Sequence, residues 1–250
     1  MATLSIIIIT KNEAINILDC IRSAYFADEV IVLDSGSSDG TIDLVKGTKA
    51  KLLITDWPGY GAQKNRAIEA SSGDWIFSLD ADERISDELA NEIQDAIIQN
   101  QYQVFEVPRR SLFVSKFMNH SGWRPDFTKR LFKKDVARFS DHNVHEHLET
   151  SHKHGRLKES LIHYSYRDFE TVIEKMNNYS TAGALDACNL GKKGSLKKAI
   201  GHGLWAFIRT YFIRAGFLDG REGLMLSIAN AEVTYYRYIK LSYLNDTNII

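Results

Sequence analysis

Residues 29–41 read EVIVLDSGSSDGT, a run of Val, Ile and Leu that breaks at Asp34 into serines, glycines and acids. A buried β-strand ending in a polar, glycine-bearing turn has this signature. Residues 4–13, LSIIIITKNE, repeat the pattern, with isoleucines closing on Thr10, Lys11, Asn12 and Glu13. KLLI at 51–54, WIFSL at 75–79 followed by Asp80, Ala81 and Asp82, and YQVFEV at 102–107 add three more apolar runs. Near-continuous apolar strands belong to a sheet covered on both faces. Helix-period segments separate them over 14–25, 41–46, 62–71 and 86–99. Strands alternating with helices imply right-handed crossovers and an α/β fold, a Rossmann-like, mostly parallel sheet flanked by helices. Ligands of such sheets bind beyond the carboxyl ends of the strands. The polar clusters after Thr10, Asp34 and Asp80 are therefore expected on one functional edge.

A chain of 250 residues suits one large domain with an added piece. With 44% hydrophobic and 25% charged residues it is an ordinary globular composition. Lys+Arg 31 against Asp+Glu 32 leaves a net charge of -1, so no overall field attracts nucleic acid. That balance is uneven. Residues 191–250 carry nine Lys/Arg and four Asp/Glu, a charge of +5, which leaves -6 for residues 1–190. Because the positive charge is confined to one segment without a recognition motif, a nucleic-acid partner is not expected. Cys20 and Cys188 form no CxxC pair, which suggests neither a disulfide framework nor a cysteine metal site and fits a reducing compartment. The chain enters its first strand without a basic n-region, and no apolar run reaches the ~18 residues of a membrane span. Neither a signal peptide nor a transmembrane anchor is expected.

After Pro108 the rhythm shortens into aromatic-rich pieces as far as Tyr166, read as an α+β extension folded over the sheet. From Asp168 the pattern is helical, interrupted at Gly191 and Gly194 and again at Gly216 and Gly220. The expected division is a catalytic domain over 1–166, with halves 1–107 and 108–166, and a helical, basic, amphipathic C-terminal extension over 167–250. In that extension Lys192, Lys193, Lys197, Lys198, Arg209 and Arg214 supply six cations, and residues 192–214 contain no acid. Leu196, Ile200, Leu204, Ile208 and Tyr211 form a stripe at helical spacing. Cations and aromatics on an amphipathic helix fit docking at an anionic membrane surface. The same stripe also suits packing on a neighbouring element.

Asp80 and Asp82, two apart at a strand end, offer hard oxygen ligands of the kind that hold Mg²⁺ or Mn²⁺ together with substrate phosphates. Asp, Ser and Gly after a strand also build ordinary turns, and Asp39 and Ser86 are suited to cap helices. Five of the eight histidines lie in HNVHEHLETSHKH at 142–154. This is not HExxH, because Glu149 stands four after His145, and no cysteine is near, so a zinc site is not expected.

SIIIITKNE at 5–13, EVIVLDSGSSDGT at 29–41 and GAQKNRAIEASSGDWIFSLDADE at 61–83 together resemble the inverting, GT-A glycosyltransferases of family 2. GWRPDFTKRLFKK at 122–134, NVHEHLE at 143–149 and IRAGFLDGREG at 213–223 are similar to the subgroup that adds β-1,4-linked glucose to the inner core of lipopolysaccharide or lipooligosaccharide. The resemblance implies a UDP-sugar donor, a lipid-linked core oligosaccharide acceptor, and work at the cytoplasmic face of a bacterial inner membrane as a peripheral protein. It puts Asp34 against uracil or ribose with Thr10, Glu13 and Ser35, although Ser35 stands where the family has a second aspartate. Lys64 and Arg66 are implied to reach the diphosphate, Arg66 preferentially as a bidentate donor. Asp82 would ligate the metal, while Asp80 would contact ribose or sugar and help orient the ion. Trp123 and Arg130 are implied among the substrate-binding residues. Glu146 is implied as the base that takes the acceptor proton, with His145 as rival and Glu149 as a weaker third. The alternative for Glu146 is a structural pair with Arg130 or Arg138.

Two other functions compete. A nucleotidyltransferase could share the sheet and acidic metal site but would open with a Gly-rich phosphate loop, which TKNEAI is not. A non-catalytic nucleotide-sugar-binding module would do without the His/Glu segment at 142–149.

Overall fold

A computed structural model of the protein describes residues 2–140 and 147–247. The chain begins with β1 (Leu4–Thr10), α1 (Ile17–Ser23), β2 (Glu29–Asp34), α2 (Thr41–Lys46), β3 (Lys51–Ile54), α3 (Tyr60–Ala70), β4 (Trp75–Asp80), β5 (Glu83–Arg84) and α4 (Asp87–Gln99). It continues through β6 (Val104–Phe113), β7 (Lys116–Phe117), β8 (Phe127–Lys133), β9 (Arg138–Phe139), β10 (Leu148–Glu149), β11 (His154–Arg156) and β12 (Leu161–Tyr166). Three helices follow, α5 (Phe169–Asn189), α6 (Leu196–Ile208) and α7 (Arg221–Thr247). Of the described residues, those within 1–109 and 126–163 form one compact unit and those within 110–125 and 164–250 form the other.

The first unit is built on a sheet ordered β3-β2-β1-β4-β8-β6. Strands β1 to β4 are mutually parallel neighbours, and β8 runs antiparallel to both β4 and β6. The isoleucine run explains why β1 is central. Ile6 and Ile8 enter one core with Val32 and Phe77, α1, α2 and α4, while Ile7 and Ile9 enter the other with Ile31, Leu33, Ile76 and α3. Alternate residues point to opposite faces, so a strand apolar at every position must be covered on both. Register then fixes the functional edge, with Thr10 opposite Asp34 on β2 and Ile9 opposite Asp80 on β4. Ser86 caps α4, accepting from Leu89 N at 3.3 Å, as expected of it.

The second unit is helical. Its main core joins Phe113, Met118, Val172 and Leu226, with Trp123 and Tyr166 packed against them. Residues 110–125, part of the 108–166 stretch that follows Pro108, group with the helices. Phe113, at the end of β6, meets the rings of Trp123, Tyr166 and Phe169. Asp168 and Ser195 cap α5 and α6 through Thr171 N and Lys198 N. The helices end where the glycines were read as breaks, and a π-turn at Arg209–Ile213 and a 3₁₀ turn at Gly216–Asp219 join α6 to α7. Helix α6 lies close on α7 at Gly203, where an added Cβ would come 3.3 Å from Ala231 O and 3.4 Å from Tyr235 Cβ.

Candidate active site

Three strand ends of the first unit supply the site. At the end of β1 the Thr10 side chain is buried, and its Oγ1 has no hydrogen-bond partner among the described residues. A buried hydroxyl without a partner is costly unless a ligand supplies one. The turns after β1 and β2 are laced together. Asn12 N donates to Ser37 Oγ at 2.7 Å, Ser38 N to Asn12 Oδ1 at 2.9 Å, Glu13 N to Thr41 Oγ1 at 2.9 Å and Ala14 N to Asp39 Oδ2 at 3.0 Å. The Thr41 hydroxyl, with the backbone N–H groups of Ala14 and Thr41, lowers the Asp39 carboxyl below its ordinary range.

Asp34 is fully buried, and its carboxylate accepts from Gly36 N at 2.9 Å, Ser37 N at 2.7 Å and Ser37 Oγ at 2.5 Å. Its immediate task is to hold the turn in shape. Gly36, at φ 81, takes the left-handed conformation that the tight turn requires. Ser35 is buried and accepts from Gln63 Nε2 at 3.0 Å, which ties the turn to α3. The Glu13 carboxylate accepts from Asn16 Nδ2 at 2.6 Å.

At the end of β4 a dense charge network surrounds Asp80. Lys64 Nζ lies 3.1 Å from Asp80 Oδ1, and one guanidinium nitrogen of Arg130 donates to Asp80 Oδ2 at 2.5 Å and to Glu83 Oε1 at 2.7 Å. Lys64, Arg130 and Glu83 are all buried, and Arg109 approaches the same Glu83 oxygen at 3.7 Å. Burial presses the Asp80 carboxyl upward, but Arg130 and Lys64 outweigh it and hold Asp80 well below the carboxylate range. Glu83 goes the other way, raised by burial over the opposing pull of Arg130. One cation is thus shared by two carboxylates pushed in opposite directions. Arg84 fixes the intervening turn, donating to Ala81 O at 2.9 Å, Glu83 O at 2.7 Å and Asn16 O at 2.8 Å.

Asp82 is partly exposed at the tip of that turn, and His163 Nε2 stands 3.3 Å from its Oδ2. The antiparallel pairing of β12 with β5, which sets His163 opposite Glu83, brings the histidine there. No cluster of three or more His, Cys, Asp or Glu suited to a metal occurs among the described residues. An ion at Asp82 and His163 would need to complete its shell with substrate oxygens.

Thr10, Glu13, Asp34, Ser35, Lys64, Asp80 and Asp82 therefore lie on the strand-end turns or on the helix beside them. Arg66 is directed elsewhere. It pairs with Asp56 at 2.7 Å while Lys64 points inward, because residues two apart on a helix face roughly opposite sides. Arg130 meets Asp80 from β8, and Trp123 belongs to the second unit, where it stacks on Tyr166 at 5.8 Å. Glu149 is exposed on β10, 3.6 Å from His147. Glu146 and His145 lie outside the described residues. The sequence reading missed His163, Glu83 and Arg109. His163 carried no motif, and only strand pairing reveals it, whereas Glu83 sat in plain view within the quoted DADE.

A mostly parallel sheet flanked by helices, with polar, acidic turns along one strand-end edge, has the GT-A fold. The model of Glycosyl transferase family 2 matches residues 5–165, and the chain belongs to that family. It is 33% identical to a glycosyltransferase of Rickettsia felis, covering 100% of this chain and 94% of that protein. It is 29% identical to the lipopolysaccharide core biosynthesis glycosyltransferase LpsC of Rhizobium meliloti, over 94% of this chain and 93% of LpsC. Among solved structures it resembles S. aureus TarS 1–349 in complex with UDP, with a TM-score of 0.51 at 16% identity over 98% of this chain and 92% of that one. The protein is a glycosyltransferase.

Proposed function

We propose that the protein moves a hexose, glucose, from a UDP-sugar to a sugar of the lipopolysaccharide or lipooligosaccharide inner core, with inversion and with the help of Mg²⁺ or Mn²⁺. The observation that carries this reading is the facing pair Asp82 and His163 beside an Asp80 braced by Lys64 and Arg130. UDP as the nucleotide gains support from the TarS complex, and the core acceptor from the printed activity of LpsC. The acceptor is lipid-linked, which sets the work at the cytoplasmic face of the inner membrane.

The partly exposed Asp82 carboxylate is the kind of oxygen donor that Mg²⁺ or Mn²⁺ takes together with phosphate oxygens, and His163 Nε2, 3.3 Å away, is a second donor beside it. When bound there, the ion neutralises negative charge on the departing diphosphate. Asp82 and His163 would hold it, and Asp80 would orient the ribose and the ion's surroundings from its braced position. Lys64 is the residue of α3 poised to meet the diphosphate, by exchanging part of its pairing with Asp80. Thr10 offers its unpartnered hydroxyl to the nucleotide, with Glu13, Asp34 and Ser35 shaping the same wall. The acceptor hydroxyl oxygen attacks the anomeric carbon, the bond from that carbon to UDP breaks with its electron pair leaving on UDP, and the hydroxyl proton passes to a base. Glu146 is the proposed base, with His145 as its rival.

Donor turnover across a panel of nucleotide sugars, with Mg²⁺, with Mn²⁺ and in chelator, tests the reading. UDP-glucose consumed only in the presence of a divalent ion is the expected result. Failure to consume any UDP-sugar, or equal rates in chelator, refutes it.

A further inference from the structure

Helix α6 packs the wrong way round for a water-exposed helix. Its buried residues are Ala199, Gly203 and Ala206, turned toward α7, while Leu196, Ile200, Leu204 and Trp205 are 57%, 55%, 60% and 53% exposed. At about 100° per residue, Leu196, Ile200, Leu204 and Ile208 fall within about 120° of arc that adjoins the small-residue seam, and the first three lie in solvent. The apolar surface continues past the helix end through Phe212 and Ile213 of the π-turn and Leu218 of the 3₁₀ turn, all exposed. A soluble helix places its large side chains inward and its small or polar ones outward. A contiguous apolar patch of this kind marks an interaction surface.

From this arrangement we infer that the exposed face of α6 and of the turns that follow it is a docking surface for an anionic lipid bilayer, entered in the plane of the interface. Charge complementarity selects the occupant. Exposed Lys197, Lys198, Arg209 and Arg214 border the apolar side chains, and no acid occurs between residues 192 and 214. A second copy meeting this face with its own would set these cations against each other, whereas an anionic leaflet neutralises them. Trp205 suits the headgroup boundary, where an indole keeps its ring in the apolar layer and its N–H in the wet one. No helix among the described residues is long and apolar enough to cross a membrane, so the geometry is one of lying on the surface. The inference goes beyond the reading of the sugar-transfer site and does not depend on it.

Co-sedimentation of the full chain with phosphatidylglycerol-rich vesicles, against pure phosphatidylcholine vesicles, is the test. Binding to the anionic vesicles is expected, weaker by about tenfold or more on neutral vesicles or at high salt, since removing or screening the anionic headgroups takes away the attraction for the cations. Ile200→Glu with Leu204→Glu should lower vesicle binding by a similar factor. The thermal melt and lipid-free UDP-sugar hydrolysis should stay unchanged, because both side chains already face solvent. Absent vesicle binding by the wild type, or equal binding by the double variant, overturns the inference. So does a stable lipid-free dimer that the double variant dissociates, which would assign the face to a second copy. Hydrolysis measured without lipid reports on the transfer site separately, so the two readings fail independently.

Discussion

His163 Nε2 stands 3.3 Å from Asp82 Oδ2, although the two residues come from strand-end segments far apart in the chain. Pairing of β12 with β5 creates this juxtaposition, and in the proposed reading the two side chains serve as donors to one ion. His163→Ala is therefore expected to raise the Mn²⁺ concentration for half-maximal donor hydrolysis by about tenfold or more, the scale on which groups around metal sites act. Mn²⁺ titration followed by its paramagnetic signal, with UDP present, reads the same change without turnover. Unchanged affinity would remove His163 from the site.

Lys64 and Arg66 separate cleanly. Lys64→Met is expected to reduce transfer by about 100-fold, as removal of a cation aimed at a developing anion does. Arg66→Ala should stay within about threefold, since Arg66 spends its guanidinium on exposed Asp56. Steady-state kinetics with UDP-glucose decides, and the reverse ranking would return the diphosphate to Arg66.

Arg130 holds Glu83 and Asp80 together in a buried setting. Arg130→Met strands the Glu83 carboxylate without its closest cation and is expected to cost about 3–5 kcal/mol in urea unfolding. Adding Glu83→Gln should recover much of this loss, because the buried charge disappears with its need for a partner.

The pH dependence follows from the same network. Asp80, held below its ordinary range, contributes stability that is present above its unfolded pKa of about 3.9 and fades as pH falls below it toward the folded value. Glu83, raised by burial, has the opposite sign, with its contribution present below its unfolded pKa of about 4.3 and lost as pH rises through the raised value. Asp80→Asn should thus flatten the stability profile at the acid end. Unfolding midpoints measured between about pH 3 and pH 5, on either side of these reference values, test it. A wild-type slope in the variant would place the acid sensitivity elsewhere.

Asp219 anchors the loop that carries Trp123. Its buried carboxylate accepts from Asn119 N at 3.1 Å, His120 N at 2.9 Å and Ser121 Oγ at 3.3 Å. Asp219→Ala leaves these donors without their acceptor and is expected to destabilise the protein by about 2–3 kcal/mol, the scale of bonds to a charged group. Thermal or urea unfolding checks the size of the loss.

The sheet was legible because its signals are local. The isoleucines of β1 and the EVIVLD of β2 state their burial on both faces in the order of their residues, and the strand ends then align their polar turns by topology. What escaped the sequence was set by long-range register and by side-chain direction. His163 meets Asp82 through a strand pair with no motif, and Lys64 rather than Arg66 turns inward through the phase of one helix. The C-terminal stripe was visible as periodicity, yet periodicity is symmetric between a face turned in and a face turned out. Only the small side chains seated on α7 reveal its direction.

The helical unit is assembled from two stretches of chain, Arg110–Pro125 and the segment from Tyr164 onward. No single cut can detach it. A truncation before α5 would strip Phe113, Met118 and Trp123 of Val172 and Leu226 and leave their apolar surfaces bare. Trimming the C-terminal helices to obtain a minimal catalytic fragment would accordingly yield an aggregating protein. The helices are a structural obligation of the chain's middle, whatever else they touch.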